Sequence, residues 1–202
     1  APLQQAVVAK IRELRIENLL DIGCGEGYYT HAMQAEVLQC VGVDIAKNAV
    51  QVAAKLNKNV TWIVGTGATL PVLEKSIDLC SSLFSPIPQQ EILRVLKPQG
   101  YLMVVTPAQG HLYAMREALF EEVNPHEPHK FIQQLEAEFD LVSEQVIDAP
   151  LTLSQQDLKH LIAMTPYAYK AKVERRQALE QHDTFAVNAQ FQLYLFQKKS
   201  AL

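Results

Sequence analysis

The chain has 202 residues, 49% apolar and 20% charged, with a formal net charge of −4; this balance suits one globular domain with a sizeable core and argues against a protein whose whole surface grips a polyanion. Its longest apolar runs are strand-length, well short of the roughly 20 apolar residues of a membrane-spanning helix, and no basic segment followed by an apolar one opens it, so a cytoplasmic protein with no membrane contact is expected. Cys24, Cys40 and Cys80 are an odd number in or beside predicted strands, which reads as reduced core thiols rather than a disulfide framework or a metal site.

Apolar residues at Leu3, Val7, Ile11 and Leu14 predict an amphipathic helix over Pro2–Leu14 that packs on a sheet. Asn18–Ile22 is a short apolar run that meets a glycine-rich turn, and a helix-period segment follows from Tyr28 towards Ala35. The alternation then continues: strand Leu38–Val43, helix Ala46–Leu56, strands Val60–Val64 and Ile77–Leu83, helix Gln89–Leu96, strand Tyr101–Val105. Strands alternating with helices predict right-handed crossovers and a doubly wound α/β fold on a mostly parallel sheet. Beyond Thr106-Pro107 come predicted helices Leu112–Val123 and Lys130–Glu138. Strands Asp140–Ile147 and Gln190–Gln197 enclose a helical insert at about 150–182 with an N-cap at Thr152 or Ser154. The last run alternates only roughly, as an edge or antiparallel strand would. The reading is one domain, 1–202, with a cofactor-binding half, 1–107, and a substrate-side half, 108–202.

Leu19-Leu20-Asp21-Ile22-Gly23-Cys24-Gly25-Glu26-Gly27 carries the strongest chemical signal. A strand that runs into glycines able to take positive φ, at the carboxyl edge of a parallel sheet, makes a ligand crevice where backbone N–H groups approach closely. A dinucleotide wants G-x-G-x-x-G, with pyrophosphate on the helix N-terminus; the spacing here is G-x-G-x-G. Asp21 suits the ammonium group of a methionine moiety better than a phosphate. Seventeen residues after Gly27, the next strand ends in Asp44, whose carboxylate suits the two hydroxyls of a ribose or the N-cap of the following helix.

The segment Leu19–Pro107 resembles the class I S-adenosylmethionine-dependent methyltransferases. Asp21–Gly27 matches their first motif and Val43-Asp44-Ile45 their second; Thr69-Leu70-Pro71 resembles their adenine-side loop and Arg94–Gly100 their turn into the fifth strand. One departure is that many relatives carry an Asp before the adenine-side loop where this chain has Gly65-Thr66-Gly67-Ala68, which leaves adenine recognition to backbone groups or Thr66. A narrower resemblance, to the bacterial 23S ribosomal RNA (guanine-N1)-methyltransferases, covers Asp21–His31, Ser85-Pro86, His111-Leu112, Glu122–His129 and Met164–Lys172.

The resemblance implies a seven-stranded Rossmann-like sheet with helices on both faces and S-adenosylmethionine as cofactor. Its cofactor residues are Asp21, Gly23, Cys24, Gly25, Glu26, Gly27, Asp44, Ile45, Ala68, Thr69, Leu70, Phe84 and His111. It also implies 23S rRNA as substrate, a guanine N1 in a hairpin loop as acceptor, and a cysteine-ligated zinc module ahead of the catalytic domain, to which nothing here corresponds. The general base and the oligomeric state stay open, a homodimer among the arrangements. The competing readings are a small-molecule N- or O-methyltransferase and a non-catalytic S-adenosylmethionine-binding protein.

On the acceptor side the candidates are Ser85, Pro86, Tyr167, Tyr169, Lys170 and Lys172. The last four interleave rings with cations, as a surface that stacks an extruded base would, or as a packed helix end would. After Pro150 seven Lys/Arg face four Asp/Glu, so this third of the chain suits phosphates or a solvated helix face. His111 suits cofactor, guanine or plain surface. His126, Glu127 and His129 read as a rigid loop rather than metal ligands.

Overall fold

Strand β1 (Asn18–Ile22) is almost wholly buried, and its continuous apolar run is what a central parallel strand requires. A computed structural model describes residues 1–124, 126–127, 129 and 131–200; Pro125 and Pro128 of the loop string and Lys130, the predicted helix start, lie outside the described residues. Before β1, α1 (Pro2–Leu14) buries Leu3, Val7 and Ile11, one residue per turn on one face, and Arg15 ends it in the left-handed region at φ 54°. Then follow α2 (Tyr28–Gln34), β2 (Gln39–Asp44), α3 (Lys47–Leu56), β3 (Thr61–Val64), β4 (Ile77–Leu83), α4 (Gln89–Val95) and β5 (Leu96–Pro107). Each lies within a few residues of its predicted span.

Among the described residues the strands form one seven-stranded sheet in the order β3-β2-β1-β4-β5-β7-β6, with β6 (Phe139–Ser154) and β7 (Thr184–Lys198) at one side. β1 pairs in parallel with β2 and β4, β2 with β3, and β4 with β5. The order reverses between β1 and β4, so the loops that leave their carboxyl ends diverge and open a crevice there.

Three expectations are corrected. The last strand is not an edge: β7 lies between β5 and β6, and its residues Gln192–Phe196 are buried without a break, the pattern of an internal strand that rough alternation disguised. The edge is β6, which tolerates Pro150 because an outer strand need not offer every N–H. The helix expected at Leu112–Val123 shrinks to α5 (Tyr113–Leu119), since Leu112 is left-handed at φ 51° and Phe120 is extended. That expected at Lys130–Glu138 becomes the single turn α6 (Ile132–Leu135).

The chain divides into two compact units. The first, Ala1–Thr106 with His129–Gln145 and Gln192–Leu202, holds a core in which Leu20, Val43, Cys80, Ile92, Val104 and Phe196 meet. Each such large side chain contributes about 1.5–3 kcal/mol by leaving water. The second, Pro107–Pro128 with Val146–Phe191, has its own core of Leu112, Met115, Leu119, Leu158, Ile162 and Leu179. It contains α7 (Gln155–Met164), α8 (Tyr167–Lys170) and α9 (Val173–Leu179); of the two N-cap candidates Ser154 caps α7, its Oγ accepting the Asp157 N–H at 3.2 Å. Among the described residues no helix is long and apolar enough to cross a membrane.

Candidate functional site

In the first unit a cavity of about 560 Å³ opens at the carboxyl ends of β1 to β4, within the size range of small-molecule and cofactor sites. Gly23 and Asp44 line it from β1 and β2, Gly65 and Ala68 from the loop after β3, and Phe84 and Pro86 from the loop after β4. Ile45 and Ser85 also line it, so seven of the residues singled out from sequence meet at one cavity.

Gly23, Gly25 and Gly27 have φ of +74°, +55° and +82°. At Gly23 the need for glycine is steric as well, because a Cβ would fall 2.4 Å from that of Ser85. Four amides of the turn have partners within the fold. The amides of Gly23 and Cys24 both donate to the Val43 carbonyl, Gly25 donates to Asp44, and Gly27 to the Cys24 carbonyl. The glycines supply room, and a Cβ on Gly25 would meet nothing within 4 Å.

Asp44 anchors the loop. Its Oδ2 accepts the Gly25 N–H at 2.8 Å and its Oδ1 the Ala46 N–H at 2.8 Å, and Ala46 rather than Asp44 takes the N-cap position of α3. A carboxylate has about four acceptor positions, so each oxygen keeps one for a ligand hydroxyl.

Asp21, expected at the ammonium group of the cofactor, is engaged from within the fold. It is 2% exposed, with one oxygen accepting the Thr30 hydroxyl at 2.5 Å and the other the Ser81 hydroxyl at 2.7 Å. Burial pushes its carboxyl up to about 6, against the lowering effect of those two donors. Leu70 is a core residue whose N–H meets Glu91 and whose carbonyl accepts from Arg94. Thr69 is not on the cavity wall; Thr66 is, its hydroxyl accepting the Ala68 N–H.

Glu26 and Gly27 line a separate cavity of about 440 Å³ beside Trp62, a half-buried ring rather than a core one. The Cys24 thiol, pushed up to about 12 chiefly by burial, is an apolar filler rather than a nucleophile. The Ser85 hydroxyl donates to the Ile22 carbonyl at 2.6 Å, so it ties the turn after β4 to the end of β1.

Sequence reasoning missed three groups. Ser81 and Ser82, fully buried in β4, hold Asp21 and the turn after β4, and the polar pair inside an apolar strand was the available signal. Glu91 and Arg94 on α4 clamp residues 70–72 by three backbone contacts of 2.6–2.9 Å. In the second unit Arg116, 4% exposed, donates to the carbonyls of Gln109, His111 and Asn124.

The other candidates also belong to the second unit. His111 donates from Nδ1 to the Gln190 carbonyl at 2.9 Å, which leaves Nε2 as an acceptor in the neutral ring, and burial lowers its pKa. Tyr167 packs edge-on against Phe120 at 5.6 Å, and Lys172 forms an exposed ion pair with Glu121 at 2.7 Å. Tyr169 is 91% exposed and its neighbour Lys170 is exposed as well. Among the described residues no group of three His, Cys, Asp or Glu is placed to hold a metal.

The family model described as "Methyltransferase domain" matches residues 15–165, three quarters of the chain and the whole of this cavity. The chain belongs to this methyltransferase family. Its cofactor is S-adenosylmethionine, and the cavity fits that molecule through the open acceptor positions of Asp44, which lines it.

Among curated proteins the methyltransferase is 28% identical over 174 residues to YxjB of Bacillus subtilis (strain 168), named as a candidate 23S rRNA (guanine-N(1)-)-methyltransferase; the match covers 81% of this chain and 60% of that one. It is 30% identical over 155 residues to the 23S rRNA (guanine(748)-N(1))-methyltransferase of Streptomyces fradiae, covering 75% and 55%. The chain thus spans less than two thirds of the length of these relatives. A candidate methyltransferase from Bacillus halodurans C-125 shares the fold at a TM-score of 0.65 and 17% identity, over 96% of this chain and all of that one.

Proposed function

We propose that this methyltransferase transfers a methyl group to N1 of a guanine in a hairpin loop of 23S rRNA, as a cytoplasmic enzyme. The observation that carries the reading is the likeness, over three quarters or more of the chain, to two proteins named for that activity. The exposed Tyr169 beside Lys170 supports it, since a ring and a cation in sequence suit a base and its phosphate.

S-adenosylmethionine supplies an electrophilic methyl group when bound. Asp44 accepts the ribose hydroxyls, and Gly23 and Gly25 leave space for the ligand against the backbone. Asp21, held by Thr30 and Ser81, keeps the glycine loop in place from behind. Guanine N1 carries a proton in the neutral base, so transfer needs the acceptor held in line while that proton leaves. A small-molecule acceptor is the second reading, favoured by the acidic character of the chain before Pro150, where 18 acids face 11 bases.

The test is to incubate the chain with unmodified 23S rRNA and S-adenosylmethionine, digest the RNA and identify the nucleosides. N1-methylguanosine is expected. A different methylated nucleoside, or turnover confined to metabolites, overturns the reading.

A further inference from the structure

Trp62 lies on β3 in register with Gly42 of β2, and its half-buried indole meets both Gly42 and Gly27, the last glycine of the turn. A Cβ on Gly42 would fall 2.7 Å from the indole Cε3 and Cζ3, and one on Gly27, at φ +82°, would fall 2.5 Å from Cη2. Both distances lie well inside carbon–carbon contact, so the six-membered ring of the indole fills the space that side chains at 27 and 42 would need. Its other edge is anchored. The indole Nε1–H donates at 2.8 Å to the carbonyl of Asn57, the C-cap of α3. Asn57 is buried, and its side-chain amide lies 2.9 Å from His31 Nδ1 on α2.

The glycine turn is held differently at its two ends. Its entry hangs on β2 by hydrogen bonds, from Gly23 and Cys24 to the Val43 carbonyl and from Gly25 to the Asp44 carboxylate. At its exit Gly27 donates within the turn, to the Cys24 carbonyl at 2.9 Å, accepts the His31 N–H of α2 at 2.8 Å, and packs on the indole. Gly42 carries the same packing to the middle of the turn, since a Cβ there would also fall 3.2 Å from Cys24 Sγ.

We propose that Trp62 is a positioning residue for cofactor binding: its indole, wedged against Gly27 and Gly42 and anchored on Asn57, sets the exit of the glycine turn and with it the place of Gly25 beside Asp44. Close-packed contacts transmit displacement, so a smaller side chain at position 62 lets the turn shift towards the vacated space. The role of Gly27 changes with this assignment, from contact with the cofactor to a seat for the indole. Gly23 then answers to Ser85 and Gly27 to Trp62, while a Cβ on Gly25 meets no atom within 4 Å.

Calorimetric titration with S-adenosylhomocysteine separates positioning from plain support of the fold. Trp62→Leu should raise the dissociation constant roughly 10-fold, within the range for coupling between residues in contact, with the binding stoichiometry of wild type. Trp62→Phe keeps a flat ring without the Nε1–H, so its affinity should fall between those of Trp62→Leu and wild type, and it carries the test if Trp62→Leu does not fold. A side chain that only supports the fold would instead lower the stoichiometry with the folded fraction and leave the dissociation constant within about twofold of wild type, the scatter of uncoupled sites. That pattern in the Trp62 variants overturns the proposal. The contact itself is tested by Gly27→Ala, which should lower the melting temperature more in the wild-type background than in Trp62→Leu, where the new methyl group no longer meets the indole. Equal losses in the two backgrounds overturn the wedge.

Discussion

Asp44 Oδ2 accepts the backbone N–H of Gly25 at 2.8 Å, so the carboxylate that faces the cofactor cavity also fixes the apex of the glycine loop. Removing it acts twice, on the ligand's hydroxyls and on the loop. Asp44→Ala should weaken S-adenosylmethionine binding by about 1–3 kcal/mol, roughly 5- to 150-fold, the range for hydrogen bonds to a charged group. Isothermal titration reads this directly. An unchanged dissociation constant would remove Asp44 from the site.

Two glycines should separate stability from binding. Gly23→Ala places a Cβ 2.4 Å from that of Ser85 at φ +74°, so both the fold and cofactor binding should suffer. Gly25→Ala meets no atom within 4 Å and carries only the left-handed penalty of about 1–2 kcal/mol. Its melting temperature should fall modestly while cofactor affinity falls sharply, the outcome expected when the open space at Gly25 is taken up by the ligand. Equal losses in the two variants would mean that the room at Gly25 is not used.

Asp21 should leave a mark on the pH dependence of stability. Its carboxyl is raised to about 6 in the folded protein, against about 3.9 for an unfolded aspartate. The folded state therefore holds its proton more tightly, and this contribution is fully present below pH 4 and lost as pH rises through 6. Asp21→Asn should abolish it. The difference in unfolding free energy between variant and wild type should shift by about 2 kcal/mol in favour of the variant from pH 4 to pH 7. Urea denaturation at both values measures this, and a difference that does not change with pH contradicts it.

The Met164–Lys172 segment divides by exposure. Tyr169→Ala and Lys170→Ala should raise the KM for RNA and leave the melting temperature unchanged, with Lys170→Ala flattening the logarithmic salt dependence of RNA binding by about 0.7–0.9. Tyr167→Ala should instead destabilise the fold, because its ring packs on Phe120. The reverse pattern would place the RNA contact at Tyr167.

The cofactor half was legible because its constraints are local. A glycine turn after an apolar strand and an acid at the end of the next leave a pattern along the chain, and parallel pairing gathered Gly23, Asp44 and Phe84 at one edge. What failed depended on contacts distant in sequence. The engagement of Asp21 within the fold leaves no local trace because its partners Thr30 and Ser81 lie 9 and 60 residues away. Leu70 looked like part of a ligand loop, yet Glu91 and Arg94 hold its backbone from α4. β7 looked like an edge because periodicity reports one strand's faces and not which strands flank it.

The most direct measurement is transfer of radiolabelled methyl from S-adenosylmethionine to 23S rRNA lacking its native methylation, beside the same RNA already carrying N1-methylguanosine at the target. Label is expected in the first RNA, recovered as N1-methylguanosine, and not in the second. Equal labelling of both RNAs, or of neither while a metabolite is methylated, would contradict the assignment of guanine N1 as the acceptor.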